Sequence, residues 1–466
     1  MLNKICNFNK KYILAVILSV CLLLETVVPS WAMMSIEQEK ALGRRLLLMV
    51  RSKVNMINDP ETVLYITGLG HKILKQVGTS FFQYHFFVID DDALNAFAMP
   101  GGYVFVYSGL IEEVDSEDEL ICVMAHEIGH VEGRHIVRRL ARMQKVNLAT
   151  MALAIAGLFL GSGQATSAVF ATSTALNIAV ALKYSREDEE EADRRAYHWA
   201  CEAGYDPRGL AYILQKMQRY RWLGSSSIPG YLETHPGTPD RINYIEDLYH
   251  DHPCPQRVKP NTFELHRVQI RLQVLTQDPV VLAEKYKNQL RSKPHNVMLR
   301  FGLAFALQEQ QDYRGAIKIF KQLAKQYPER PIFISDLANA YLHAGDYTQA
   351  ISLFRGYVFN HPKNLVARYD LALAYLRSGD AKDAMPLFLS LLSRWPIKTN
   401  LYLNLGLALS KLHQMGMAHF YFCKHFIALG QMQAAMYHRR IALKLLPKSS
   451  IYYQYLMHNM GTLRNN

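Results

Sequence analysis

The stretch His126-Glu127-Ile128-Gly129-His130 decides how the first half of this chain is read. On a helix, positions i and i+4 lie on one face, so both imidazoles can reach one metal ion. Glu127 then falls beside the remaining coordination position, where it can serve as a general base toward water. Two nitrogen ligands with a carboxylate next to them are the equipment of a zinc peptidase. A helix that merely carries two histidines is the plainer alternative, and a third ligand downstream decides between the two.

Residues 185–193, Ser-Arg-Glu-Asp-Glu-Glu-Glu-Ala-Asp, offer that ligand. A carboxylate oxygen completes a two-histidine zinc site and leaves a fourth position open. Glu189 and Asp193 are four residues apart and share a helix face. Glu189 can bind the metal while Asp193 accepts a hydrogen bond from a ligand histidine and sets its tautomer. An acidic run is also what a solvated helix face looks like, and spacing alone leaves Glu187, Glu189, Glu190 and Glu191 all open.

With Arg134-His135 after the first motif and the acidic run after it, the chain resembles the membrane-associated gluzincin peptidases, the family of HtpX and the CAAX prenyl proteases. Asn95-Ala96-Phe97-Ala98, Pro100-Gly101-Gly102, Tyr103 to Tyr107, and Thr234-His235-Pro236 followed by Arg241 belong to the same likeness, which covers about residues 35–250. The resemblance implies one zinc ion held by His126, His130 and Glu189, with Asp193 as the partner of a ligand. It implies Glu127 as the catalytic base and Asn95 to Ala98 as a strand that aligns substrate, although an ordinary hairpin reads the same way. It also brings His235 to the site, either as the donor to the oxyanion or as an occupant of the open position that holds the enzyme latent.

The N-terminus reads as an export signal. Lys4, Lys10 and Lys11 precede an apolar run from Tyr12 to Leu24, and Ser30-Trp31-Ala32 provides small residues for cleavage after Ala32. A retained anchor is the alternative. Export places the mature chain in the periplasm or outside the cell, where disulfides are permitted, and Cys201 and Cys254 are one possible pair. Cys122 reads as a small buried residue. The formal charge is +12, and loss of residues 1–32 removes three lysines and one glutamate, leaving about +10. Such a surface suits anionic lipid headgroups or acidic partners. No motif points to nucleic acid.

The second half is organised by a 34-residue period. Pro294, Pro328, Pro362 and Pro396 hold one register, Ala316, Ala350, Ala384 and Ala418 a second, and Phe320, Phe354, Phe388 and Phe422 a third. This is the tetratricopeptide (TPR) signature: alanine lets two helices approach, phenylalanine fills the gap and proline ends the second helix. After Gly430 the phase slips, and Ala435, Ala442 and Pro447 restart the pattern as a terminal unit. Residues 262–293 read as helical and cap the other end. Prolines at 253, 255 and 260 mark the boundary.

The expected architecture is mostly α with a small β-sheet: a signal peptide at 1–32, a zincin-type metallopeptidase domain at 33–255 and an all-α TPR solenoid at 262–460. Phe86 to Asp90 and Tyr103 to Tyr107 read as strands. Residues 146–182 carry no charge and admit three readings: a buried hairpin over the site, a segment that contacts or dips into a membrane, or a transmembrane pair. The expected function is a periplasmic zinc metalloendopeptidase with chaperone activity. Periplasmic members of the family imply unfolded or misassembled outer-membrane proteins as substrates and the outer-membrane assembly machinery as the TPR partner. A non-enzymatic chaperone or scaffold is the competing class, against which Glu127 argues, because a structural metal needs no base.

Overall fold

The computed structural model describes residues 34–142, 183–222, 230–255 and 257–458. The expected export signal at 1–32 and the uncharged segment 146–182 lie outside the described residues. Helix α1 (Ile36–Arg51) begins with a capping box between Ser35 and Gln38. It is followed by β1 (Met56–Ile57), α2 (Pro60–Val77), β2 (His85–Ile89), β3 (Ala96–Met99) and β4 (Tyr103–Tyr107). The strands form one sheet in the order β1-β2-β4-β3, with β2 and β4 parallel and the other pairs antiparallel. The strand expected at Tyr103–Tyr107 has those bounds, and the one expected at Phe86–Asp90 begins one residue earlier. The segment expected at Asn95–Ala98 forms its strand at Ala96–Met99, because Asn95 takes part only through its carbonyl, which accepts from the Tyr107 N–H at 3.1 Å. Gly101 and Gly102, at φ +89° and +93°, make the β3–β4 turn in a region closed to most side chains.

The helices around the site are α3 (Ser108–Glu113), α4 (Glu117–Glu132), α5 (His135–Arg142), α6 (Arg186–Glu202), α7 (Gly209–Trp222), α8 (Gly230–Thr234) and α9 (Thr238–Asp251). Helix α4 is buried on nearly every side, which is why its sequence is apolar all round apart from the motif. Ser116 caps it, and Glu117, Asp118 and Glu119 sit at the positive end of its dipole. Helix α6 lies against α4 where Gly129 faces Ala192. A Cβ on Gly129 would meet the Ala192 backbone at 3.2 Å, so glycine sets the closeness of the two motif helices. A disulfide joins Cys201 to Cys254 and closes the loop that carries α7, α8 and α9. For a separation of 53 residues, chain entropy alone makes this worth about 4 kcal/mol. Cys122 is free and buried.

Beyond Pro260 come α10 (Thr262–Thr276) and α11 (Pro279–Ser292). The repeat pairs follow: α12 (Val297–Glu309) with α13 (Tyr313–Gln326), α14 (Ile332–His343) with α15 (Tyr347–Asn360), α16 (Leu365–Ser378) with α17 (Ala381–Leu391), and α18 (Lys398–Lys411) with α19 (Met415–Ala428). Helices α20 (Met432–Leu445) and α21 (Ile451–His458) come last. The four register alanines are fully buried, as are Phe320, Phe354 and Phe388. Phe422 is half-buried and packs over Gly406. Helix α10 does more than cap the solenoid. Its Leu265, Val268 and Leu272 belong to the same core as α4 and α7. Its buried Arg267 bonds Asp336 of α14 at 2.6 Å and Glu61 of α2 at 2.5 Å, while Arg271 holds Asp59 at 2.5 Å. Removing one partner from such a buried network leaves an uncompensated charge. At the far end, Arg51 of α1 donates to the Ala428 carbonyl at 2.7 Å, and Val63 of α2 packs into the last repeats. Among the described residues no helix is long and apolar enough to cross a membrane.

Candidate metal centre

Four side chains converge: His126 and His130 from α4, Glu189 from α6, and His235 just after α8, each with a donor atom within 4.8 Å of the others. All four are buried. The Nε2 atoms of His126 and His130 face each other at 2.9 Å. Glu189 places Oε2 3.5 Å from the first and Oε1 3.4 Å from the second. His235 Nδ1 lies 3.3 Å from His126 Nε2 and 3.0 Å from Glu189 Oε1. Four donors around a zinc ion at about 2.0–2.1 Å stand about 3.3 Å from one another. The donor set therefore fits one such ion.

The hydrogen bonds behind the donors assign their protons. Asp193 Oδ1 accepts from His126 Nδ1 at 2.8 Å, which leaves the Nε2 lone pair free to bind a metal. For His130 the chain is longer. Glu191 Oε2 stands 3.3 Å from His135 Nε2, and His135 Nδ1 stands 2.6 Å from His130 Nδ1. If His135 carries its one hydrogen on Nε2, on the side of Glu191, its Nδ1 accepts the His130 Nδ1–H, and His130 Nε2 is again a free lone pair. Burial holds His135 down at about 4 and His130 well below its ordinary range, so both rings are neutral as this chain of bonds requires. Backbone strain supports the arrangement. Arg134, at φ +51°, turns the chain between α4 and α5, and a Cβ on Gly133 would strike the His135 ring at 2.2 Å. Replacing His135 with alanine strands the His130 Nδ1–H and is expected to lower zinc affinity about 10–100-fold, as read by chelator competition. Affinity equal to wild type removes His135 from this role.

Arg241 of α9 locks the acidic side. Its Nη1 meets Glu189 Oε2 at 2.8 Å, and Nε and Nη2 grip Asp193 at 2.8 and 2.7 Å. Burial opposes ionisation of Glu189, but His235 and Arg241 outweigh it and hold the carboxyl well below the usual range. For His126, burial and Arg241 push the ring down while Asp193 and Glu189 push it up more strongly, to about 9. The proton it then carries is the one a metal displaces. Tyr184 stacks on His130 at 3.7 Å and Tyr231 on His235 at 4.3 Å, closing the site with aromatic faces.

Glu127 points into the same space. Its carboxyl oxygens make no well-aligned hydrogen bond among the described residues, although the side chain is fully buried; the polar groups nearest them are His235 Nε2, 3.5 Å from Oε1, and the backbone N–H of Ala98. Burial pushes its carboxyl up to about 8, helped by the neighbouring Glu189. A buried carboxyl without a well-aligned hydrogen bond is costly and calls for a role. The edge strand runs alongside. The Asn95–Tyr107 bond fixes the alternation of the β3–β4 ladder, so the N–H and C=O groups of Ala96 and Ala98 point away from β4, toward the open edge. Asn95 is buried, with its side-chain oxygen unpartnered.

The structure thus gathers His126, His130, Glu189, His235, Glu127 and Asp193, with residues 95–98 beside them. Glu187 and Glu190 lie on the outer side of α6, both exposed. Tyr184, Tyr231 and the supporting roles of His135 and Glu191 carry no signal that spacing could reveal, because their contacts join segments from α4, α5, α6 and α8.

The sequence model of Peptidase family M48 matches residues 60–249. Tetratricopeptide-repeat models match residues 291–364 and 341–394. The beta-barrel assembly-enhancing protease of Escherichia coli (strain K12) is 33% identical over 214 residues, which cover 45% of this chain and 43% of that protein. The mitochondrial metalloendopeptidase OMA1 of Schizosaccharomyces pombe is 32% identical over 186 residues, 40% of this chain and 52% of that one. A Vibrio cholerae relative is 29% identical over 313 residues, 66% and 64% of the two chains. The chain therefore spans less than two thirds of each relative's length.

Proposed function

Proceeding from a chain that carries a Peptidase family M48 domain ahead of tetratricopeptide repeats, we propose that it is a periplasmic zinc metalloendopeptidase acting in the assembly and quality control of outer-membrane proteins. The observation that carries this reading is the buried Glu127 carboxyl, which makes no well-aligned hydrogen bond and lies between a four-donor cluster and the edge strand β3. In this reading residues 1–32 are the export signal, 33–255 the peptidase and 262–460 the array that receives unfolded β-barrel proteins or their assembly machinery. The name of the Escherichia coli relative supports that substrate class.

His126, His130 and Glu189 hold one zinc ion, with Asp193, Arg241 and His135 fixing their orientation. The ion, when bound, polarises a peptide carbonyl and lowers the pKa of water to about 7. Ala96 and Ala98 pair with an extended substrate as an added strand and so register the scissile bond over the site. Glu127 takes a proton from the attacking water and returns it to the leaving amine. His235 stands in the fourth donor position, and in this reading it withdraws before substrate enters.

The test uses the full mature chain and an unfolded outer-membrane β-barrel protein. One zinc per chain, cleavage abolished by a chelator, and recovery on adding zinc are expected. Cleavage that persists in metal-free protein overturns the assignment.

A further inference from the structure

The cationic character of the chain is not spread evenly. From Ala384 to Asn466 the sequence contains no Asp or Glu and nine Lys or Arg. The last described helices display this segment. On α20 a single stripe faces outward, with Met436 (38% exposed) and Tyr437 (58%) one turn before Arg440, and Lys444 and Leu445 (52%) one turn after it. Helix α21 continues the surface with Ile451, which is 76% exposed, and Tyr455. Behind them, Lys424 of α19 lies 5.1 Å from the Tyr455 ring centre and 4.7 Å from that of Tyr402 on α18. The outer helix of a solenoid is ordinarily polar. Here apolar and cationic side chains alternate along one stripe.

We propose that the outward face of α20 and α21 docks on an anionic phospholipid surface. The interleaving fits that partner. With α20 lying flat, Met436, Tyr437 and Leu445 enter the headgroup layer while Arg440 and Lys444 reach phosphates on the same side. Tyrosine suits the same depth, apolar ring inward and hydroxyl in water. An acidic protein partner fits less well. Protein interfaces fix register with charges of both signs and are depleted in lysine, and this segment offers no carboxylate. The proposal does not rest on the peptidase reading, because it uses none of the residues around the metal centre.

The test is flotation of the full mature protein with vesicles of phosphatidylcholine alone, or with roughly one third phosphatidylglycerol. Binding to the anionic vesicles, weak binding to the neutral ones and partial release by high salt are expected. Arg440→Glu with Lys444→Glu lowers binding to the anionic vesicles by more than about tenfold. Met436→Ser with Tyr437→Ser weakens the part that resists salt. All four side chains are partly or fully exposed, and unchanged circular dichroism and zinc content show that the variants fold. The proposal is overturned if wild type ignores the anionic vesicles, if the double glutamate variant binds them equally, or if the face instead pairs two copies or an acidic protein without any lipid dependence.

Discussion

Glu127→Gln is expected to keep one zinc ion per chain and to cleave about a hundredfold to ten-thousandfold more slowly. That range corresponds to about 3–5 kcal/mol of barrier. One motif holds two separate jobs. The donors that converge are His126, His130, Glu189 and His235, while the Glu127 oxygens stand apart from that cluster without a well-aligned hydrogen bond. Glutamine matches glutamate in shape, so the packing of α4 is preserved, but it cannot accept a proton. Stability has its own sign. In metal-free protein the carboxyl is raised to about 8 by burial, so its ionisation opposes folding at pH values above the ordinary carboxylate range. The metal-free variant should therefore be more stable than metal-free wild type, with a gap that widens from about pH 4.5 to about 8 and then levels off. Thermal melts across that range read it. A variant that loses its zinc, or cleaves as wild type does, contradicts the assignment of Glu127 as base.

His235→Ala is expected to raise cleavage between about thirtyfold and two-thousandfold. The ring is held in place by Glu189 Oε1 at 3.0 Å and by the Tyr231 stack at 4.3 Å. A hydrogen bond to a charged group contributes about 1.5–3 kcal/mol and an aromatic pair about 0.5–1.5 kcal/mol. If opening must break both before substrate enters, alanine removes that barrier. Burial holds the ring at about 4, so it is neutral above that pH, and in the metal-free protein its one N–H is the Nδ1–H that Glu189 accepts. The opposite outcome is equally specific. A donor to the oxyanion, once removed, costs about 10²–10³ in kcat. Measuring initial rates with the same unfolded substrate separates the two, and a loss of rate overturns the latch.

The sequence by itself carried a large part of this protein. Histidines at i and i+4 share a helix face whatever surrounds the helix, and three residue types repeating every 34 positions can only be stacked helix pairs. Such periodic signals are local, so the chain spells them out. The likeness to known peptidases singled out Glu189 from four neighbouring glutamates, a choice that spacing left open. Tertiary structure decided what depends on segments far apart in the chain. Asn95 to Ala98 read equally well as a hairpin, and only the strand order β1-β2-β4-β3 leaves Ala96 and Ala98 with backbone groups facing the site. Arg134-His135 entered only as part of the family likeness, yet the left-handed turn at Arg134 folds His135 back onto His130, with their Nδ1 atoms 2.6 Å apart. Helix α10 read as a cap, but Arg267 ties it to both Glu61 and Asp336, across 206 and 69 residues of chain. A motif can announce which atoms bind a metal, because that needs one face of one helix. Where the protons sit, which edge is open and how the solenoid is clamped depend on buried polar groups finding partners, and those partners are chosen only when distant helices pack.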